Sequence, residues 1–165
     1  MTSAQNEDLL EYHKILNSSE KITRDELVKR YKKDKNLTKL CLNNLDLSNI
    51  DLSGALLTYV FFIGTNLTHA NLCGATLTGI DLTGANLTGA NLSHTTIIAT
   101  NMTDTDLTDA NLYDTNIEYV EFITSKLTNT NLSHSKLKYV ELVQSNFKNS
   151  DFSYAALTDV RIHKI

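Results

Sequence analysis

Every fifth residue from Leu42 to Ile162 is large and apolar, a run of 25 consecutive positions made mostly of leucine, with Ile97, Ile117, Phe62, Phe122, Phe147, Phe152 and Met102 among the rest. Leu37 extends the series backwards. Designating this position i, the residue two before it is small (Ala55, Ala70, Ala75, Ala85, Ala90, Thr105, Ser125), and the residue between them is most often Asp or Asn. A period of five matches neither the 3.6 of an amphipathic helix nor the 2.0 of a long strand. It does match three extended residues, pointing in, out and in, followed by a two-residue corner. Gly54, Gly64, Gly74, Gly79, Gly84 and Gly89 all fall at i+2, where a corner most needs a left-handed backbone. Tyr119 and Gln144 occupy the same place, so the pattern implies that positive φ is not obligatory there.

A second period fixes the number of sides. Leu40, Val60, Ile80, Val120, Val140 and Val160 are bulky residues at i−2 spaced by multiples of twenty, interrupted only by Thr100. Tyr59, Tyr119 and Tyr139 at i+2 keep the same phase. Twenty residues per turn means four repeats per coil and about six coils, a rod of roughly 29 Å at ~4.8 Å per coil. The fold expected is an all-β solenoid, a four-sided β-helix whose i and i−2 side chains point inward and whose i−1 side chains point outward.

Residues 1–36 stand outside the repeat and form an expected α-helical N-terminal cap, with 37–165 as the β-helix. The pattern predicts one helix over 6–16 and another over 23–33, the latter opened by a capping box of Thr23 and Glu26. Leu9, Leu10, Leu16, Leu27, Val28 and Tyr31 would cover the first coil. At the other end, Phe147, Phe152, Leu157 and Ile162 lie near an uncovered coil, which suits either a monomer or an end-to-end homodimer through the C-terminal coil.

The unit A-[ND]-L-x-x, plainest in GANLTGANLSH at 84–94 and preceded by the LVKRYKK segment, resembles the bacterial pentapeptide-repeat proteins. The resemblance covers about residues 37–164 and implies a right-handed quadrilateral β-helix without general catalytic activity or cofactor. One subset of that family, the quinolone-resistance type, is taken to mimic DNA and bind type II topoisomerases, typically with projecting loops that this unbroken register lacks. Other members serve as adaptors, and fold alone does not choose among these roles.

Composition narrows the function. Net charge is −4, which argues against direct nucleic-acid binding. No apolar run approaches a membrane span and the first ten residues lack a signal-peptide pattern, so a cytoplasmic location is expected. Cys41 and Cys73 have no metal-ligand spacing, and Asn-x-Ser/Thr triplets such as Asn66 and Asn131 follow from the repeat itself. Enzymatic motifs are lacking. His94, Asp114 and His134 share one outward column and make a candidate metal site, but no supporting group is identifiable, and neither metal nor cofactor is expected.

Two surface features remain. Nine acids and no Lys or Arg occupy residues 40–125, which raises the alternative of a DNA-mimicking topoisomerase inhibitor. Asp104 through Glu121 spans about one coil, so these acids ring the rod where phosphates would line one face. Leu56, Tyr59, Phe61 and Ile63 occupy contiguous outward positions, either covered by the N-terminal helices or facing a partner. Tyr119 and Tyr139, on adjacent coils of the same edge, form either a plain aromatic ladder or a continuation of that surface. The favoured expectation is a non-catalytic protein–protein interaction module.

Overall fold

The computed structural model describes Lys14, Ile15 and residues 22–163. Helix α1 runs over Arg24–Lys33, and eight strands follow: β1 Asn36–Thr38, β2 Leu56–Thr58, β3 Thr76–Thr78, β4 Thr96–Ile98, β5 Asn116–Ile123, β6 Lys136–Val143, β7 Ala156–Thr158 and β8 Arg161–His163. Lys14 and Ile15 are helical, and the rest of the helix expected over 6–16, with Leu9, Leu10 and Leu16, lies outside the described residues. The strands stack in the order β1 to β7, all parallel, and β8 pairs with β6. Every pairing joins residue n to residue n+20, from Asn36↔Leu56 to Val143↔His163. The other faces are joined by single bridges with the same offset, such as Phe61↔Asp81 and Asn91↔Asn111. The result is the expected parallel β-solenoid of about six turns.

The i positions fill the tube. From Leu37 to Leu142 every one is at most 3% exposed. Position i−2 shares the interior, and where it is Ser or Thr its hydroxyl must find a partner. Most do so by one repeated contact, while Thr95 and Thr100 donate to Leu92 O and Ile98 O of their own coil. Thr65, Thr105, Thr130 and Ser135 donate to the carbonyls of Leu42, Leu82, Leu107 and Leu112, each 23 residues back, at 2.7–2.9 Å. No buried side-chain nitrogen or oxygen among the described residues lacks a hydrogen bond.

Asp and Asn at i−1 close the corners. The i, i+2 and i−1 amides all donate to neighbouring coils, as in Leu47 N to Asn66 O, Asn49 N to Thr68 O and Asn66 N to Leu45 O. The i+1 amide has no such partner on the turn faces and donates instead to the side chain two residues before it, as Ser53 N does to Asp51 Oδ1 at 3.0 Å and Thr68 N to Asn66 Oδ1 at 3.1 Å. Where Glu121 and Glu141 take the place of Asp or Asn, β5 and β6 run on as strands of eight residues.

Every i+2 residue from Lys39 to Asp159 has φ between 50° and 67°, including Tyr119 at 55° and Gln144 at 52°. The expectation that positive φ is dispensable was therefore wrong. The repeat demands it at each corner, and non-glycine residues accept the cost because the surrounding coil bonds fix their backbone.

Helix α1 covers the first coil. The Thr23 hydroxyl accepts the Glu26 amide at 3.2 Å, while the Glu26 carboxylate accepts the Arg30 Nε–H at 3.1 Å. Leu27 is fully buried, with Val28 and Tyr31 packed against the same core. Within the stack, carbonyls at i−1 and i+1 accept amides from the preceding coil, and the first coil has no such neighbour. Arg24 donates to Asp46 O at 3.2 Å, and Tyr31 and Lys35 donate to Ser53 O at 2.8 and 2.9 Å, supplying the missing donors. The opposite end differs: Leu157 and Ile162 are each 54% exposed.

Left-handed corners predict opposite effects for two substitutions. A Cβ at Gly74 meets nothing within 4 Å, so Gly74→Ala isolates the backbone cost and lowers stability by roughly 1 kcal/mol. Gln144→Gly removes the same strain and raises stability by roughly 0.5–1 kcal/mol, both read by denaturant unfolding. Equal, near-zero shifts in both variants would contradict the corner assignment.

Candidate functional site

The corners aim side chains into solvent one above another at the coil spacing of ~4.8 Å. One corner column consists of Lys39, Tyr59, Gly79, Ala99, Tyr119, Tyr139 and Asp159. Tyr59, Tyr119 and Tyr139 are 49%, 56% and 41% exposed. The last two stack with ring centroids 4.9 Å apart at 19°, and Lys138 Nζ lies 5.0 Å from the Tyr139 centroid. Tyr59 stands apart from this pair. Its ring lies over Gly79, with Cδ1 and Cε1 2.9 Å from where a Cβ would be.

Leu56, on β2 beside Tyr59, is exposed, and Ile63 is half-buried. Phe61 corrects the expectation that i−1 always faces water: it is 2% exposed, while every other i−1 residue from Cys41 onward is half-buried or exposed. Phe61 is thus closed to a partner, and its replacement reports on stability instead of docking. The corner that the sequence grouped as one patch is split, with Leu56, Tyr59 and Ile63 at one end and Tyr119 with Tyr139 three to four coils away.

The column named in the sequence for His94, Asp114 and His134 extends to Tyr154, which the sequence reading left out. His94, Asp114, His134 and Tyr154 follow one another at a corner, flanked by Tyr113. His94 Nδ1 is 3.1 Å from Asp114 Oδ2, the Tyr113 ring contacts both imidazoles at 5.6 and 5.3 Å, and His134 stacks on Tyr154 at 4.9 Å. Tyr154 shares the twenty-residue spacing of the two histidines and was legible on that ground. The imidazoles engage tyrosine rings and one carboxylate, and among the described residues no three metal-ligating side chains converge.

Charge is distributed around the tube. Asp104, Asp109 and Asp114 occupy successive corners of one coil. Later cations sit one coil from acids: Lys126 on Asp106 at 3.1 Å and Arg161 on Glu141 at 3.2 Å. Among the described residues four carboxyls are held below their ordinary value. Asp46 and Asp51 are lowered first by the amides of Ser48 and Ser53, and Asp151 first by the Ser153 hydroxyl. For Asp106 partial burial pushes upward, but the Thr108 hydroxyl and amide and the Lys126 ammonium outweigh it. No helix among the described residues is long and apolar enough to cross a membrane.

The sequence model of the family described as pentapeptide repeats matches this chain in eight copies, over residues 36–72, 46–84, 65–104, 85–118 and 125–163. Among solved structures, the chain is similar to HetL, a pentapeptide-repeat protein involved in heterocyst differentiation regulation in the cyanobacterium Nostoc sp. strain PCC 7120. The two share 20% identity over 86% of this chain and 95% of HetL, with a TM-score of 0.55. It is also similar to alr5209, a pentapeptide-repeat protein of the same cyanobacterium, at 28% identity over 58% of this chain and 80% of that one, with a TM-score of 0.56. Similarity to QnrB1, a plasmid-mediated fluoroquinolone resistance protein, reaches a TM-score of only 0.45 at 18% identity, over 74% of this chain and 82% of that one. A comparison with curated proteins finds no match.

The lowered carboxyls predict an acid limb of known sign. A folded-state pKa below the ordinary 3.8 means stability complete above that range and lost as pH falls through and below it. Asp46→Asn, Asp51→Asn and Asp151→Asn together keep each Oδ1 acceptor and remove the titration. The triple variant is expected to melt somewhat below wild type at neutral pH, to lose less stability below about pH 4, and to converge with wild type there. Parallel acid limbs would refute the assignment.

Proposed function

We propose that this chain, which belongs to the pentapeptide-repeat family, is a non-catalytic module whose rigid solenoid faces dock a protein partner. The observation that carries this reading is the aromatic corner: exposed Tyr59 and the stacked pair Tyr119 and Tyr139, held on backbone that coil-to-coil bonds immobilise. Tyrosines presented this way lose little conformational entropy on binding, which is why they are enriched where partners dock. The reading places the protein in the bacterial cytoplasm, with Cys41 and Cys73 as free thiols, and gives it a protein ligand instead of nucleic acid or membrane. Acids that encircle the rod support this over mimicry of a duplex, whose charges run along its axis.

Two experiments follow. In partner capture from the organism of origin, Tyr119→Asp with Tyr139→Asp is expected to lose a protein that wild type retains. Retention by both, or nothing specific on wild type, would overturn the reading, and a gyrase supercoiling assay that responds to the purified protein would favour the mimic. Self-association forms part of the proposal as well. The exposed Leu157 and Ile162 offer an apolar face to a second copy, so light scattering should show a dimer that Ile162→Lys dissociates. A wild-type monomer at high concentration would exclude it.

A further inference from the structure

We propose that the aromatic corner is a receptor for an arginine side chain of the docking protein, seated in the notch above Ala99. This rests on the partner-docking reading and names the chemistry of its contact.

The notch is a consequence of column spacing. Tyr59 and Tyr119 are three coils apart, ~14 Å along the axis, and the two corner residues between them are Gly79 and Ala99. Tyr59 closes over Gly79, which leaves the exposed Ala99 as the floor of a gap with a tyrosine on either side. Planar groups stack on such rings, and a planar cation gains the attraction of the ring quadrupole as well.

Charge selects the cation. Glu121, next to the Tyr119 edge of the notch, is exposed and has no ion pair among the described residues. Glu118 adds a second carboxylate, its Oε1 accepting only the Asn116 amide at 3.2 Å among the described bonds. Lys138 is the cross-strand neighbour of Glu118 on the Tyr139 side, and the chain carries no Lys or Arg between residues 40 and 125 to face Glu121 from the Ala99 side.

One coil further along, the same Tyr and Glu pair meets a guanidinium of the chain's own on its C-terminal side. Tyr139 stands to Glu141 as Tyr119 stands to Glu121, and there Arg161 fills the place: its Nη1 donates to Glu141 at 3.2 Å in a cleft lined by Tyr139, Glu141, Asp159 and Arg161. At Tyr119 and Glu121 the same pair of groups meets Ala99 and Asn101 on the side away from Tyr139. A guanidinium from outside completes it there.

The test titrates a Gly-Arg hexapeptide at low salt, with Gly-Lys and Gly-Glu hexapeptides as comparators, while the tyrosine ring signals are followed by NMR. Ala99→Tyr fills the notch with a residue that the column already accepts at positive φ three times, so its fold, checked by circular dichroism and melting, is expected to survive. The arginine peptide is expected to shift the Tyr59 and Tyr119 signals, leave Tyr113 and Tyr154 unmoved, and bind at least about five-fold more weakly to Ala99→Tyr and to Glu121→Gln. Equal binding by wild type and Ala99→Tyr, equal response to the three peptides, or shifts confined to other tyrosines would overturn it. Partner capture separates this inference from the one beneath it. A partner held equally by wild type and Ala99→Tyr sinks the notch alone, whereas no partner on wild type sinks the docking reading, and the peptide titration still decides the notch.

Discussion

A left-handed residue at every fifth position is the constraint on which the remainder of this molecule depends. It turns the chain through one side of a square, so that twenty residues return each large apolar side chain above its equivalent one coil before. Everything inside the tube follows from that return. From Leu37 to Leu142 leucine-like residues stack with at most 3% exposure, most hydroxyls at i−2 reach carbonyls of the previous coil, and parallel bonds at n and n+20 satisfy the backbone. The cost of each strained corner is met collectively, because a single residue cannot relax without breaking bonds to the coils on both sides.

The period of five and the period of twenty were both legible, because the interior tolerates only large apolar residues at i and because i−2 varies in size once per coil. What the periods did not reveal was why Asp or Asn precedes each i. The structure shows a turn device, a carboxylate or amide that satisfies the one amide the stacking leaves over. Backbone conformation at Tyr119 and Gln144 was misread, since side-chain identity was taken as a limit on φ, whereas neighbouring coils enforce it. For Phe61 the sequence left open whether it is covered or faces a partner, because repeat phase gives the direction of a side chain and says nothing of what covers it; its burial fits the covered reading.

The surface obeys the same geometry. Columns at the corners place like positions ~4.8 Å apart, close enough for Tyr119 to stack on Tyr139, for His134 to stack on Tyr154 and for an amide ladder to run from Asp51 through Asn71, Asn91, Asn111 and Asn131. A solenoid is therefore a ruler on which substitutions at one phase become stripes. Specificity in such a protein lies in the sequence of a column, its tyrosines, gaps and charges, more than in any local fold. The two ends obey another rule. Helix α1 closes one with donors that replace a missing coil, and the other presents apolar side chains of the last coil.

Cross-linking measures the coil circumference most directly. Cys73 Sγ and Ser93 Oγ lie 3.5 Å apart on adjacent coils, and parallel neighbours at this spacing suit disulfide geometry. With Cys41 replaced by serine, Ser93→Cys is expected to oxidise onto Cys73 in the folded protein, whereas Thr88→Cys, fifteen residues from Cys73, is not. A disulfide between Cys73 and position 88, with none to position 93, would contradict a twenty-residue coil.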